Sequence, residues 1–308
     1  MNLVHIYELN GDQVVRAMCL RVSSAVARSA YDQPAAANID ELDGKKSMDL
    51  VNSIVKAVRI LDLLKGQGSL SYIDILKQFP LPKSTLFKIL LTLESEELIR
   101  RDQASGKYEL GVKLIEWGTG ARSQLEIRKI ALPFMQKLSE DIDCTIHLTV
   151  VSHGEVLPIE SFESGSTTWP HYLFHGGVGI PAPLHATAAG KAILAFMSQE
   201  SLEDTLKGKV LQKFTENTIT TMPQLREALA EIRRTGYAVS YSEHYEMVRG
   251  VAAPIRDNEG KVFASLSALG VTSRMTTEWL PEVALQVVAA ANGISRLFGH
   301  SASGVKAA

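Results

Sequence analysis

Two short helical patterns separated by a proline corner, between residues 69 and 98, constrain the fold of this chain most strongly. In the second pattern apolar residues recur at the i, i+3, i+4 and i+7 positions, which gives a helix one buried stripe. These residues are Leu86, Ile89, Leu90 and Leu93. Pro82 suits the first turn of this helix, because the amide hydrogen that proline lacks would be unpaired there.

The first pattern covers residues 71–79 and stops at Pro80. Its spacing predicts a short helix that buries Ile73, Leu76 and Phe79, with a serine near Gly68 as its cap. Two helices joined in this way form a helix-turn-helix, whose second helix enters the major groove of DNA. The alternative is a pair of ordinary core helices joined by a proline turn.

The exposed face of the second helix carries hydroxyls, cations and one aromatic ring near its N-terminal end. Backbone amides at a helix N-terminus also favour a phosphate. Phe87 has two readings, because its ring can contact a thymine methyl group or pack against Leu91. The DNA contacts predicted for the two helices are Ser71, Lys83, Ser84, Thr85, Phe87 and Lys88.

The residues on either side complete a small DNA-binding domain. Before the two helices, Ser53 is predicted to cap a third helix that buries Ile54, Val58, Leu61 and Leu64 and ends at Lys65 and Gly66. After them, two short strands flank the turn DQASGK and predict a hairpin, or wing. Its cations either hold the phosphate backbone or form a solvated hairpin surface. They are Arg100, Arg101 and Lys107.

Length, net charge and cysteine content limit the class of protein that this chain can be. The 308 residues suffice for two domains, and a net charge of −2 requires any basic DNA-binding surface to be local. Cys19 and Cys144 are far apart, so neither a disulfide framework nor a CxxC metal site is predicted. The chain contains no run of 18 apolar residues and no clear signal peptide. A cytoplasmic protein that does not enter the membrane is therefore predicted.

The domain organisation follows from shifts in pattern along the chain. Residues 1–47 are small and polar and predict a loosely ordered tail, with Met48 as an alternative start of the natural product. Residues 48–111 form the DNA-binding domain, 112–130 a linker helix bent at Gly118 and Gly120, 131–300 a second domain that Pro133 opens, and 301–308 a tail. In the second domain, consecutive strands and segregated helices predict an α+β fold.

Three further segments give the chain a family likeness. They are GIPAPLHATAAGKAILAFMS at 179–198, GYAVSYSEHYEMVRGVAAPIRDNEG at 236–260 and KVFASLSALG at 261–270. Together with the winged helix-turn-helix, they resemble the IclR family of bacterial transcriptional regulators. The resemblance implies double-stranded operator DNA as a partner, a linker helix used in dimerisation, and a GAF/profilin-like domain with an antiparallel sheet that binds a small organic effector. It also implies a homodimer or tetramer that controls a catabolic operon.

The resemblance also implies an effector site. Its expected residues are His171, Phe174, Ala182, His185, Thr187, Ala188, Ala189, Gly190, Ser240, Gly250, Ser267 and Leu269. Relatives that bind small keto acids place polar groups where this chain has Gly250 and Leu269, and an acidic group where it has Ser240. The run WPHYLF at 169–174 is aromatic. We therefore expect a larger, partly apolar or aromatic effector.

Other roles are weighed beside this one. Arg249 can clamp an effector carboxylate, or it can pair with Glu243 or Glu246. His171 and His175 have a spacing that binds zinc on a helix, but the glycines that follow indicate a loop, so no metal and no cofactor are predicted. The motifs GxSxG and HExxH are absent, and Ser240, Glu243 and His244 are adjacent without forming a triad. No catalytic residue is predicted, and an enzyme or binding protein that oligomerises through its N-terminal domain remains the alternative.

Overall fold

The computed structural model describes residues 50–79, 81–163 and 177–300. The chain divides into two compact units, with the boundary between Gly120 and Ala121. The predicted tails and the predicted effector residues His171 and Phe174 lie outside the described residues. Within the described ranges, no helix is both long and apolar enough to cross a membrane.

In the first unit, the described residues between 50 and 110 form three helices and a two-stranded antiparallel hairpin, as the sequence predicts. Leu70 extends the hairpin by pairing with Tyr108 through two backbone hydrogen bonds of 2.8 and 3.0 Å. The elements are α1 (Asn52–Gln67), α2 (Tyr72–Gln78), α3 (Lys83–Ser95), β1 (Ile99–Arg101) and β2 (Tyr108–Leu110). The stripe predicted for α3 is confirmed, since Leu86, Ile89, Leu90 and Leu93 are all buried.

The stripes predicted for α1 and α2 are right only in part. Leu64 is buried, and Leu76 and Phe79 pack against the core, as predicted. Ile54, Val58 and Ile73 are more than half exposed, and the core takes Ile60 and Ile75 instead. Each helix carries apolar residues on two faces, and spacing alone does not say which face meets α3. The predicted Ser53 cap is also wrong. Helix α1 begins at Asn52, and its N-cap residue, Val51, makes no side-chain capping bond.

The segment after the hairpin forms two helices, α4 (Lys113–Gln124) and α5 (Glu126–Ile142). The break falls at Leu125, so the predicted bend at Gly118 and Gly120 is wrong, because both glycines lie inside α4. Pro133 lies inside α5 and does not open it. A proline ring is tolerated there at the cost of one backbone hydrogen bond.

The second unit is built on a five-stranded antiparallel sheet with the strand order β4-β3-β7-β6-β5. Helices α5 and α9 pack against one face, and α6 against the other with α8 behind it. The predicted α+β class is confirmed. The elements are β3 (Thr145–Ser152), β4 (Glu155–Phe162), α6 (Ala188–Leu194), α7 (Gln199–Leu206), α8 (Met222–Thr235), β5 (Ala238–Tyr241), β6 (Val248–Arg256), β7 (Val262–Val271) and α9 (Leu280–Leu297).

Gly190 allows α6 to pack closely on the preceding loop. A Cβ atom at this position would lie 2.2 Å from the carbonyl oxygen of Leu184. We expect Gly190→Ala to lower the free energy of unfolding by about 1–3 kcal/mol, because the backbone of a buried loop would have to move. Gly118→Ala is the matched control, because nothing lies within 4 Å of a Cβ atom there. The control should raise helix stability by roughly 1 kcal/mol.

Urea unfolding followed by circular dichroism measures both glycine variants. Equal unfolding free energies for the two would show that the close approach at Leu184 does not constrain the fold.

Candidate functional site

The outward face of α3 is open to solvent. Lys83, Ser84, Phe87 and Lys88 are exposed, and Thr85 is half-buried. Phe87 is 55% exposed and Leu91 is 54% exposed, so the ring of Phe87 is not buried by local packing. A single helix face thus presents two cations, two hydroxyls and an exposed aromatic ring, the side-chain types that contact phosphates and base edges.

The N-terminus of α3 is also available to an anion. Its N-cap residue is Pro82, which makes no side-chain capping bond, and its first turn contains no acidic residue. The hydroxyl of Tyr72 donates a hydrogen bond of 2.9 Å to the carbonyl oxygen of Lys83 and fixes the start of the helix against α2. The partial positive charge of the helix end is therefore not neutralised by its own first turn.

Ser71, predicted as a DNA contact, caps α2. Its hydroxyl accepts a hydrogen bond from the amide of Asp74 and donates one of 2.6 Å to the carboxylate of Asp74. The backbone amide of Ser71 donates to the same carboxylate at 3.3 Å, which completes a capping box. These bonds to Ser71 lower the pKa of Asp74 below its usual range. Because its hydroxyl is already hydrogen-bonded to Asp74 in α2, we do not propose Ser71 as a DNA contact.

The wing carries its three predicted cations on exposed side chains. Arg100 pairs with Glu109 at 2.8 Å, and Arg101 donates to the carbonyl oxygen of Gly106 at 3.2 Å. Lys107 is exposed, and the guanidinium of Arg101 lies 5.6 Å from the centroid of the Tyr108 ring. An exposed ion pair contributes little to stability, so Arg100 can exchange Glu109 for a phosphate at small cost.

The second unit contains a cavity of about 290 Å³ between the sheet and the start of α6. Strands β3, β7 and β6 form its floor, and the segment that leads into α6 covers them. The pairing of Ala182 with Val156 closes the β4 side. The predicted effector residues that line the cavity are Ala182, Thr187, Ala188, Ala189, Ser240, Arg249, Gly250, Ser267 and Leu269.

Two predicted residues do not line the cavity. His185 is buried, and its Nε2 atom lies 3.0 Å from the carbonyl oxygen of Gln212. Burial lowers the pKa of His185. Gly190 packs on Leu184, as described above. Both residues therefore support the loop before α6 and do not line the cavity.

Several cavity residues are already hydrogen-bonded. The hydroxyl of Thr187 donates to the carbonyl oxygen of Pro183 at 2.9 Å and accepts from the amide of Gly190. The hydroxyl of Ser240 donates to the carbonyl oxygen of Ala186 at 3.4 Å. These two side chains hold the cavity wall in place. Gly250 lets the side chain of Leu269 pack closely over it, because a Cβ atom there would lie 2.7 Å from Leu269.

Arg249 lies at one end of the cavity, but its pairing differs from prediction. One guanidinium nitrogen donates to the carbonyl oxygen of Met275 at 3.0 Å and lies 3.3 Å from the hydroxyl oxygen of Thr277. Glu243, the partner predicted in the alternative reading, pairs with Lys191 instead. The Nε atom of Arg249 is buried and has no partner among the described residues. Arg249 thus mainly holds the loop before α9.

The sequence analysis did not predict His147 or Thr149 as cavity residues. His147 and Thr149 alternate with the core residues Ile146 and Leu148 on β3, so they point to the cavity face. Burial lowers the pKa of His147 to about 4. The alternation on β3 was the signal available in the sequence, but it does not reveal that this face of the sheet borders a cavity.

His244 also lines the cavity and was considered only as a triad neighbour. Its ring makes an edge contact with Phe214 at 4.7 Å and lies 4.1 Å from the ring of Tyr245. Burial and the nearby His185 lower the pKa of His244 to about 4. His244 therefore adds a neutral ring to the cavity wall near pH 7.

A buried ion pair fixes the loop that carries His244. The Nζ atom of Lys191 lies 2.5 and 2.7 Å from the carboxylate oxygens of Glu243 and donates to the carbonyl oxygen of Val239 at 2.9 Å. Thr215 and Thr218 donate to backbone carbonyl oxygens of the same loop. Burial lowers the pKa of Lys191, and Glu243 opposes this shift. Glu243 thus has a structural partner that explains its burial.

A second buried carboxylate, Glu160 on β4, receives two arginines. Arg128 on α5 donates to one carboxylate oxygen, and Arg122 in the last turn of α4 lies 3.6 Å from the other. The neighbouring residue on β4, Ser161, lines the cavity. The cavity wall is therefore connected to the helix break at Leu125 through a single side chain, which we call the Glu160 junction.

Two family models match most of the chain. Residues 53–103 match the IclR helix-turn-helix domain, and residues 119–296 match the model described as bacterial transcriptional regulator IclR C-terminal. The HTH-type transcriptional regulator XynR of Escherichia coli is 34% identical over 256 residues, which cover 83% of this chain and all of XynR.

Solved structures agree with these matches. The IclR protein of Thermotoga maritima is 31% identical, with a TM-score of 0.62 that covers 82% of this chain and 100% of the other. An IclR homologue from Microbacterium hydrocarbonoxydans, solved in complex with 4-hydroxybenzoate, is 26% identical with a TM-score of 0.65. That match covers 80% of this chain and 98% of the homologue.

Proposed function

This chain belongs to the IclR family of bacterial DNA-binding transcriptional regulators, and we propose that it controls a catabolic operon in response to an aromatic or carboxylate-bearing effector. The single observation that carries the proposal is the exposed polar face of α3, in the same chain as a cavity of about 290 Å³. Proteins that act on DNA in bacteria work in the cytoplasm, so we place this regulator there.

For DNA recognition, we assign α3 to the major groove of double-stranded operator DNA and the wing to the adjacent backbone. Lys83, Ser84, Thr85, Phe87 and Lys88 would face bases and phosphates, and Arg100, Arg101 and Lys107 would hold phosphates. A homodimer would read two half-sites that are a whole number of helical turns apart.

The surface of α4 supports a homodimer. No residue of this helix is buried, although Ile115 and Trp117 are large and apolar and both are more than half exposed. A second copy of the chain would cover these side chains, as the family resemblance implies. Two such dimers can associate into a tetramer.

The residues that line the cavity favour an effector that contains a ring and few charged groups. Gly250 and Leu269 contribute no side-chain donor, and Ala182 and Ala188 add apolar wall. The relative from Microbacterium hydrocarbonoxydans is bound to 4-hydroxybenzoate, and its similarity to this chain supports an aromatic acid here. Arg249 lines the cavity and keeps a buried Nε atom without a partner among the described residues, so a shift of its side chain would let it donate to an effector carboxylate.

The Glu160 junction provides a route from effector to DNA. An effector shifts DNA affinity only if it binds two conformations differently. We propose that the bound ligand displaces β4 beside Ser161. Glu160 then displaces Arg122 and Arg128, at the break between α4 and α5, through its ion pairs with them.

Glu160→Gln tests this route by keeping the side-chain shape while removing the charge that attracts both arginines. We expect the effector to bind as before, while the ratio of operator affinities with and without effector falls about fivefold or more toward one. Asp141→Asn is the control, because it removes the exposed pair with Lys137 on α5. An unchanged ratio in Glu160→Gln would exclude the junction as the route.

The proposed function is tested by fluorescence anisotropy with the intergenic DNA beside the gene. We expect aromatic acids such as 4-hydroxybenzoate to change operator affinity by about fivefold or more, a usual range for allosteric coupling. Glyoxylate and pyruvate serve as comparison ligands. A strong response to the two keto acids with none to aromatic acids would overturn the effector class and leave DNA binding intact.

A further inference from the structure

His147 has a buried imidazole with unmet hydrogen-bonding capacity. Its exposure is 7%, it lines the cavity, and no hydrogen-bond partner for its ring is found among the described residues. A neutral imidazole carries one N–H donor and one acceptor nitrogen. Buried polar groups in folded proteins nearly always have a hydrogen-bond partner. We therefore expect the imidazole of His147 to bond to a group inside the cavity.

The neighbours of His147 are polar in the same row of the sheet. Strand register places Ser161 of β4 on one side and Ser267 of β7 on the other, and both line the cavity. Side chains directly opposite each other on paired strands lie about 5 Å apart. Three adjacent side chains therefore offer hydrogen bonds across one strip of the floor, while the adjoining row has Leu269 and Gly250 between Thr145 and Ser240.

The state of the imidazole limits which chemical group it can accept. Burial holds the pKa of His147 near 4, so at neutral pH the ring is uncharged. A carboxylate above it can only accept hydrogen bonds, so it could use the N–H of the ring but could not satisfy the acceptor nitrogen. A hydroxyl group both donates and accepts, so it can satisfy the ring and a flanking serine together.

We infer that the effector presents a hydroxyl group to His147, with Ser161 and Ser267 beside it. This inference rests on the effector cavity of the proposed function and specifies its ligand as a hydroxylated compound. Recognition by His147 makes the cavity selective, because an analogue without the hydroxyl would leave the buried ring unpaired.

The experiment uses calorimetry of the full chain with ligand pairs that differ by one hydroxyl. The aromatic pair is 4-hydroxybenzoate with benzoate, and the alicyclic pair is 4-hydroxycyclohexanecarboxylate with cyclohexanecarboxylate. At least one hydroxylated member should bind about tenfold more tightly than its partner, the effect of one buried hydrogen bond. His147→Phe should remove that preference, and His147→Gln, which keeps a donor and an acceptor, should retain much of it.

His153→Asn is the matched control, because His153 is exposed at the β3–β4 turn with a positive φ that asparagine tolerates. The inference is wrong if the native chain shows no hydroxyl preference in any pair, or if His147→Phe keeps the preference. If His147→Phe does not fold, the preference for the hydroxylated ligand in the native chain and in His147→Gln still tests the inference. If benzoate and 4-hydroxybenzoate bind equally tightly and the alicyclic pair shows no preference, the inference is overturned and the aromatic effector stands. Hydroxyl-dependent binding of the alicyclic pair only would overturn the aromatic effector alone.

Discussion

The double variant Lys83→Glu with Lys88→Glu is expected to weaken operator binding by roughly a hundredfold or more at moderate salt. Both lysines are exposed on the outward face of α3, near its uncapped N-terminus. Each lysine that contacts a phosphate releases counterions on binding, and a glutamate in its place repels the backbone. The loss should be largely independent of sequence, because phosphate contacts carry no base information.

Salt dependence separates this explanation from a folding defect. Replacing the same two lysines with alanine should lower the slope of log affinity against log salt by about two, one for each lost contact. Lys137→Glu with Lys207→Glu is the control, because it changes the net charge equally on exposed positions of the second unit. If the α3 variant binds operator as tightly as this control, α3 is not the DNA-reading helix.

Lys191→Met is expected to give the largest loss of stability, about 3–5 kcal/mol, because it leaves the carboxylate of Glu243 buried without its partner. The pair is almost fully buried, with side-chain exposures of 4% and 5%. Removing one member of a buried pair costs far more than replacing both with apolar residues of similar volume. We therefore expect Lys191→Met with Glu243→Leu to recover much of the loss.

Urea unfolding of the second unit, followed by circular dichroism, measures these variants against the native chain. Arg234→Met is the control, since it breaks an exposed pair with Glu231 and should cost less than about 1 kcal/mol. A Lys191→Met variant as stable as Arg234→Met would show that the ion pair does not hold the loop beneath the cavity.

The DNA-binding unit could be predicted because its signals are local. The stripe of α3, the proline corner and the turn of the wing are each contained within a few residues, and each appears in the structure. Periodicity failed on α1, where residues such as Ile54 and Ile60 fit two competing stripes. Only contact with α3 selects between them, and that contact is not local in sequence.

The cavity was harder to predict because strand register creates it. His147, Ser161 and Ser267 are far apart in the chain and meet only when β4, β3 and β7 pair. The sequence and the resemblance together predicted nine of the 26 residues that line the cavity. The resemblance also placed His185 there, although the Nε2 atom of His185 lies against the carbonyl oxygen of Gln212. The hydrogen-bond partner of Arg249 could not be predicted for the same reason, because Met275 lies in a distant loop.

Sequence-specific binding of operator DNA is the property that the proposed role of α3 requires. Fluorescence anisotropy of the native chain compares the intergenic duplex beside its gene with a scrambled duplex of equal composition. We expect the intergenic duplex to bind about a thousandfold more tightly at physiological salt. Equal affinity for the two duplexes would show that the chain does not recognise this DNA by its sequence.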